Sequence, residues 1–368
     1  MKIARYDYAS QFPDLDQLTE RLRDMLARGH YVLGEEVEAF ESALAEYLGC
    51  EHAIGVNSGT DALILSMKAL GIGPGDEVVT QANTFHATVL AILWTGATPV
   101  LVDADLDTMG IDFDALEGAC GPRTKALLPV HLYGRPTAMA RIQALADERG
   151  LLVVEDAAQA IGARHAGRRA GTFGAAGCFS FHPSKNLAAA GDGGAIVCAS
   201  RELADELRIT RSLGQAAANH HTHVGLNSKL DALQAVVLHS KLPHLDGWNQ
   251  SRRELASMYR EALADLPLAF QHDDPADEHA YHLFQVRVER RDALLEHLKA
   301  RGVDATVRYP VPIHRQPAFA DLPLAQGSFP VAERLCNELL TLPLRPNMPA
   351  EEVAYAADQV REFFSANG

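Results

Sequence analysis

The alternation of strand-like and helix-like segments over the first two-thirds of the chain restricts its fold more than any other feature. Strand patterns cover residues 53–56, 77–80, 99–102, 126–130 and 151–154. Helical patterns at 61–70, 86–94, 113–119 and 136–149 separate them, and two more, 14–28 and 35–48, come before. Strands joined through helices run parallel, and a parallel sheet buries both faces under helices. The expectation is an α/β fold with a mostly parallel central sheet. Two further strands, 177–181 and 195–198, follow each other without a full helix between them. After about residue 240 the pattern changes. A long helix at 248–266, a strand at 283–288 and a helix at 292–301 lead to a proline-rich passage at 309–323. Helices at 331–340 and 350–364 close the chain. This part reads as a smaller α+β C-terminal domain, and the division is placed at 1–245 and 246–368.

Composition narrows the class of partner. The chain has 368 residues, enough for two or three domains, and its formal charge is −15. So acidic a balance argues against a nucleic-acid binder or a protein that grips an anionic membrane. Five scattered cysteines (Cys50, Cys120, Cys178, Cys198 and Cys336) lack zinc-site spacing and read as reduced thiols. The N-terminus shows no signal-peptide pattern. The most apolar stretch, 87–102, is interrupted by Gly96 and Pro99, so no membrane span is expected. Together these place the protein in the cytoplasm.

In an open α/β sheet, ligands sit beyond the carboxyl ends of the strands, so the loops there are where chemistry is sought. Three stand out. Asn57-Ser58-Gly59-Thr60-Asp61 follows a strand and opens a helix. It is either a phosphate cradle of backbone amides or a capped helix end, with Ser58 or Thr60 as the cap. Val153-Val154-Glu155-Asp156-Ala157-Ala158-Gln159 ends a strand in two acids, which are catalytic or simple turn carboxylates. Ser180-Phe181-His182-Pro183-Ser184-Lys185-Asn186 puts a lysine just past an apolar strand, where it is a surface charge or a desolvated nucleophile. Cradle, acid and lysine together are what a pyridoxal phosphate enzyme needs: a covalent anchor, a partner for the pyridine nitrogen and a phosphate site.

These motifs resemble the DegT/StrS sugar aminotransferases, which have the aspartate aminotransferase fold (fold type I). The resemblance runs over nearly the whole chain. It includes Ser58-Gly59-Thr60, Gly75-Asp76-Glu77-Val78, Thr84-Phe85, Val130-His131-Leu132-Tyr133-Gly134, Glu155-Asp156-Ala157-Ala158-Gln159, Ser180 to Asn186 and Tyr309-Pro310-Val311-Pro312-Ile313-His314. It implies pyridoxal 5'-phosphate as cofactor, bound covalently by Lys185, which then shuttles the proton. Asp156 would pair with the pyridine nitrogen, Gln159 with the ring hydroxyl, and Phe85 would stack on the ring or pack as core. Gly59, Thr60 and Ser180 would hold the phosphate. Asn227 matches a residue that the family supplies from a neighbouring subunit, which implies a homodimer with shared sites. Relatives acting as sugar dehydratases carry histidine where this chain has Lys185, so transamination is expected.

The implied substrate is a nucleotide-linked keto sugar, dTDP- or UDP/GDP-linked, with L-glutamate as amino donor. Asn227-Ser228-Lys229-Leu230-Asp231 resembles the branch acting on 3-keto sugars, except that Lys229 replaces its usual arginine. This points to amination at C3, with a 4-keto sugar as the alternative. Tyr309 and His314 are candidate substrate contacts or parts of a proline-rich connector. Lys229, Arg308 and Arg315 are candidate cations for the phosphates, or surface charges. A dehydratase, a non-catalytic nucleotide-sugar sensor and a nicotinamide dehydrogenase are the rivals. The last is disfavoured because Gly71-Ile72-Gly73-Pro74-Gly75 follows a helix rather than a strand. His220, His221 and His223 lack an evident fourth ligand, so no metal is expected.

Overall fold

The computed structural model describes residues 1–367. Helices α1 (Leu15–Arg28) and α2 (Glu35–Leu48) each stop at a left-handed glycine, Gly29 and Gly49. The alternating stretch then runs β1 (His52–Val56), α3 (Gly59–Ala69), β2 (Glu77–Gln81), α4 (His86–Thr95), β3 (Thr98–Val102), α5 (Phe113–Ala119), β4 (Thr124–Leu127), α6 (Met139–Arg149) and β5 (Leu152–Asp156). A hairpin of β6 (Arg164–His165) and β7 (Arg168–Arg169) precedes β8 (Ala176–Ser180) and β9 (Gly194–Cys198). Next come α7 (Arg201–Thr210), the hairpin β10 (Gln215–Ala217) and β11 (His220–His221), and α8 (Ala232–Lys241). The remainder is α9 (Leu245–Ala262), β12 (Ala269–Phe270), β13 (Asp277–Glu278), β14 (Phe284–Arg287), α10 (Arg291–Ala300), α11 (Pro330–Glu338), β15 (Leu339–Leu342) and α12 (Ala350–Asn367).

The central sheet has seven strands in the order β1-β9-β8-β5-β4-β2-β3. All pairings from β8 to β3 are parallel, while β9 runs antiparallel to both β1 and β8. That reversal explains the missing helix between the two strands, since antiparallel neighbours need no crossover. The connection at 181–193 is thereby free to be a loop at the carboxyl edge of β8, and it carries Lys185. Alternate residues feed opposite faces. Ile54, Cys178 and Ile196 join one core cluster with α3 and α7, whereas Ala53, Phe179 and Val197 join another with α2 and α8.

A separate cluster gathers around β12-β14-β15 and includes Tyr259, Phe284, Val286, Leu340 and Val360. Ile3 from the N-terminus is buried in it, through a bridge to Val303. Helix α9 joins the two regions: Leu245 belongs to a core of the large sheet, Tyr259 to the C-terminal cluster.

Several element boundaries differ from the sequence expectation. The helix read at 331–340 stops at Glu338, and Leu339 and Leu340 pair with Arg287 and Val286 instead. Consecutive buried leucines suit a strand covered on both faces, and the sheet partner decides the matter. The helix read at 248–266 ends at Ala262; Pro267 disfavours helical geometry in the residue before it. Helices α7 and α8 were not anticipated. The glycines of 71–75 form a helix-to-strand turn, with Gly71 and Gly75 at positive φ. No helix among the described residues is long and apolar enough to cross a membrane.

Candidate active site

The carboxyl ends of β1, β5 and β8 meet in a cleft of about 460 Å³. Its lining includes Ser58, Gly59 and Thr60 at the start of α3, Asp156 and Gln159 after β5, Ser180 and Lys185 after β8, and Phe85 at the start of α4. Eight residues picked out from four separate stretches of sequence thus share one wall system.

Both alternatives at 57–61 hold at once. Ser58 caps α3, its hydroxyl accepting from the Asp61 amide at 3.1 Å. Gly59 and Thr60 are the first helical residues, so their amides have no carbonyl four residues earlier to bind. These amides and the helix dipole favour an anion. Glycine is required at 59, because a Cβ there would lie 2.7 Å from Ser180 Cβ.

The two acids of β5 separate because adjacent strand residues point to opposite faces. Glu155 is fully buried away from the cleft. It accepts from the amides of Gly171, Phe173 and Gly174 at 2.8, 2.6 and 2.7 Å, and from His131 Nε2 at 2.9 Å. His131 Nδ1 accepts from the Thr137 amide at 2.9 Å, which assigns the imidazole proton to Nε2. Asp156 lines the cleft and is 5% exposed. Its Oδ2 accepts from the Thr88 hydroxyl at 2.8 Å and its Oδ1 from the Ala158 amide at 3.2 Å. Burial raises its pKa, and these bonds and Lys185 oppose the rise.

Lys185 is carried by a tightly held loop. Its own amide donates to His182 carbonyl at 2.8 Å, and the Ala190 amide to Gln234 Oε1 at 2.8 Å. Buried Lys241 donates to the Ala188 carbonyl at 2.9 Å. The Lys185 amine is desolvated, which lowers its pKa to about 8; Asp156 resists the drop and Arg308 adds to it. Gln159 is oriented from both ends: Oε1 accepts from the Tyr133 amide at 2.8 Å, and Nε2 donates to the Tyr309 hydroxyl at 3.3 Å. Phe85 remains 46% exposed, its ring 5.2 Å from Tyr309, so it is a cleft wall and not core.

Other expected residues are not brought to this cleft. Asn227 is exposed and accepts from Lys229 Nζ at 2.6 Å. His314 is 2% exposed, bonded through Nε2 to Glu333 at 2.8 Å and packed edge-on against Phe329. That arrangement makes it part of the connector in its own chain. Arg315 pairs with the same Glu333 at 3.2 Å. His220, His221 and His223 lie on the exposed β10–β11 hairpin, with His223 3.3 Å from Glu206. Among the described residues no three His, Cys, Asp or Glu side chains gather into a metal site.

Sequence reading missed Tyr6, Tyr8 and His282, which also line the cleft, and Thr88. Only Thr88 left a signal: it lies in the first turn of α4, four residues after Thr84 of the Thr84-Phe85 pair. The tyrosines and His282 come from regions distant in sequence and are delivered by packing alone.

A desolvated lysine, a buried carboxylate and free helix-end amides around one cleft fit pyridoxal 5'-phosphate, and with this sheet they define a fold type I pyridoxal phosphate enzyme. The chain belongs to the DegT/DnrJ/EryC1/StrS aminotransferase family, which it matches over residues 14–361. It is 46% identical over 361 residues to the dTDP-3-amino-3,4,6-trideoxy-alpha-D-glucose transaminase of Streptomyces venezuelae, covering 96% of this chain and 95% of that protein. It is 43% identical over 360 residues to the UDP-N-acetyl-3-dehydro-alpha-D-glucosamine 3-aminotransferase of Acidithiobacillus ferrooxidans, covering 98% and 97%. Its fold superposes on the crystal structure of S. venezuelae DesV with a TM-score of 0.96, at 45% identity and 98% coverage of both chains. The protein is an aminotransferase that uses pyridoxal phosphate.

Proposed function

We propose that this aminotransferase delivers the amino group to C3 of a nucleotide-linked keto sugar, with L-glutamate as donor. The observation that carries this is the near-full-length similarity to two enzymes named for 3-amino or 3-dehydro sugars, joined with the 227–231 stretch. Lys185 favours transamination over dehydration.

Bound in the cleft, pyridoxal phosphate supplies an electron-accepting ring for the carbanion left when a proton departs from the donor's Cα. The Gly59 and Thr60 amides and the Ser180 hydroxyl would hold its phosphate. Asp156, buried and twice hydrogen-bonded, would keep a proton on the pyridine nitrogen. Lys185, with an amine at about 8, is partly neutral near physiological pH. Its Nζ can therefore take the Cα proton and return it elsewhere on the same face. Phe85 would cover the ring and exclude water.

The same reading includes a homodimer, a cytoplasmic location and a division at 1–245 and 246–368. Asn227 supports the dimer: it is exposed, yet matches a residue that serves a neighbour's site. Leu213 and Val224, nearby in the chain, are 49% and 90% exposed, as an uncovered interface would leave them. Mass spectrometry of the aminated holoenzyme offered 3-keto and 4-keto nucleotide sugars tests the proposal. A 3-amino product supports it; a 4-amino product from the 4-keto sugars alone overturns the C3 assignment.

A further inference from the structure

Side chains from two helices hold the loop that carries Lys185. Gln234 of α8 binds Ala190 twice: Oε1 accepts from the Ala190 amide at 2.8 Å, and Nε2 donates to the Ala190 carbonyl at 3.4 Å. Asn249 of α9 accepts from Asn186 Nδ2 at 2.8 Å. Lys241, seven residues after Gln234 and so on the same face of α8, donates to the Ala188 carbonyl at 2.9 Å. Backbone bonds close the loop, from the Ala189 amide to Phe181 and from the Phe181 amide to Gly193, both at 2.8 Å.

Lys241 is the unusual member of this set. It is 2% exposed, and its Nζ lies 3.9 Å from the centre of the Phe12 ring. Among the described residues no carboxylate pairs with it. Leu238 and Leu245, three residues before it and four after, belong to an apolar core. A neutral donor would satisfy one carbonyl, whereas a buried ammonium without a counter-charge is costly, and burial pushes its pKa down to about 8. What the charge adds is a hydrogen bond roughly twice as strong as a neutral one, and a ring contact that fixes the side chain. The carbonyl it holds belongs to the third residue after Lys185. Proton transfer depends steeply on where the transferring atom is held.

We propose that Lys241 is a positioning residue for the reaction: its hydrogen bond to the Ala188 carbonyl, made under the Phe12 ring, sets where the 181–193 loop presents Lys185. This rests on the reading of Lys185 as covalent anchor and proton carrier. It goes beyond that reading by assigning a group outside the cleft that holds Lys185 in place.

The test uses holoenzyme and the variants Lys241→Met, which keeps the stem without the donor, and Lys241→Arg, which keeps the charge. Conversion of the lysine-bound cofactor to its amino form is followed by stopped-flow absorbance against L-glutamate concentration. In Lys241→Met the rate constant at saturation is expected to fall about tenfold, with the half-saturation within about twofold. Amides of 186–190 should exchange with solvent about tenfold faster. The denaturant midpoint should change little, because removing a buried charge offsets stranding one carbonyl. Lys241→Arg should recover part of the rate. Should Lys241→Met not fold, Lys241→Gln, whose donor is one bond shorter, is measured in the same way with the same expected loss. A saturating rate equal to wild type in the folded Met or Gln variant would overturn the inference and leave the role of Lys185 intact. So would a loss of rate that Lys241→Arg does not relieve at all. If Lys185→Ala still binds the cofactor covalently, the anchor reading and the inference both fall.

Discussion

Thr88 donates its hydroxyl proton to Asp156 Oδ2 across 2.8 Å, so α4 and the end of β5 are joined at the centre of the site. Thr84 lies 2.8 Å from the same hydroxyl and donates to it, since the Thr88 proton is already committed. All three side chains are buried, at 3%, 0% and 5% exposure for Thr84, Thr88 and Asp156. The Thr88 hydrogen bond opposes the burial that raises the Asp156 pKa.

Thr88→Val keeps the shape and removes the donor. The Asp156 carboxyl should become harder to ionise, and turnover should fall roughly ten- to a hundredfold, the worth of a hydrogen bond to a charge. Thr88→Ser should recover most of the loss. Titrating the absorbance of the bound cofactor in both variants separates this effect from misfolding, which would move the spectrum of neither in a pH-dependent way.

Desolvation lowers the Lys185 amine from 10.5 to about 8. A lowered lysine pKa means that the neutral, nucleophilic form appears at lower pH. Capture of pyridoxal phosphate by the apoenzyme should therefore level off just above pH 8 and fall about tenfold per unit below it. Removing Arg308, whose charge adds to the lowering, should shift the profile upward. A rate still climbing toward pH 10.5 would mean that the amine is solvated. The measurement is stopped-flow absorbance across buffers of constant ionic strength.

Glu155 is the acceptor for three loop amides and His131. Glu155→Ala would strand those buried donors, at a cost of about 3–5 kcal/mol. Glu155→Gln retains one carbonyl and should lose less. Denaturant unfolding of the apoenzyme reads both values directly.

Lys185→Ala and Asn227→Ala chains are each expected to be nearly inactive. If Asn227 serves the neighbouring site, mixed dimers contain one intact site out of two. Refolding the two variants together should then restore roughly a quarter of wild-type activity, because about half of the dimers are mixed. No recovery on mixing would place Asn227 and Lys185 in one chain's site.

Much of the site was legible before any coordinates. Gly59, Asp156 and Lys185 lie at or just beyond strand ends that a β-α-β pattern puts at one edge of the sheet, so local spacing was enough to group them. The helix-or-cradle ambiguity at Ser58 was not resolvable that way, because one residue caps the helix while its neighbours leave their amides free. Leu339 and Leu340 read as helix because apolar periodicity is ambiguous in short buried runs.

The sequence by itself determined the alternation, the strand-end loops and the chemistry of lysine, acid and small residues, because these follow from backbone periodicity and side-chain type. Only the tertiary structure decided that Thr88 would reach Asp156, that Glu155 would turn away from the site, and that Tyr133 and Gln285 would fix Arg308 in the cleft. Thr88 and Asp156 are 68 positions apart, and Tyr133 and Arg308 are 175 apart. No local pattern encodes such separations; packing of the sheet, its helices and the C-terminal segment creates them.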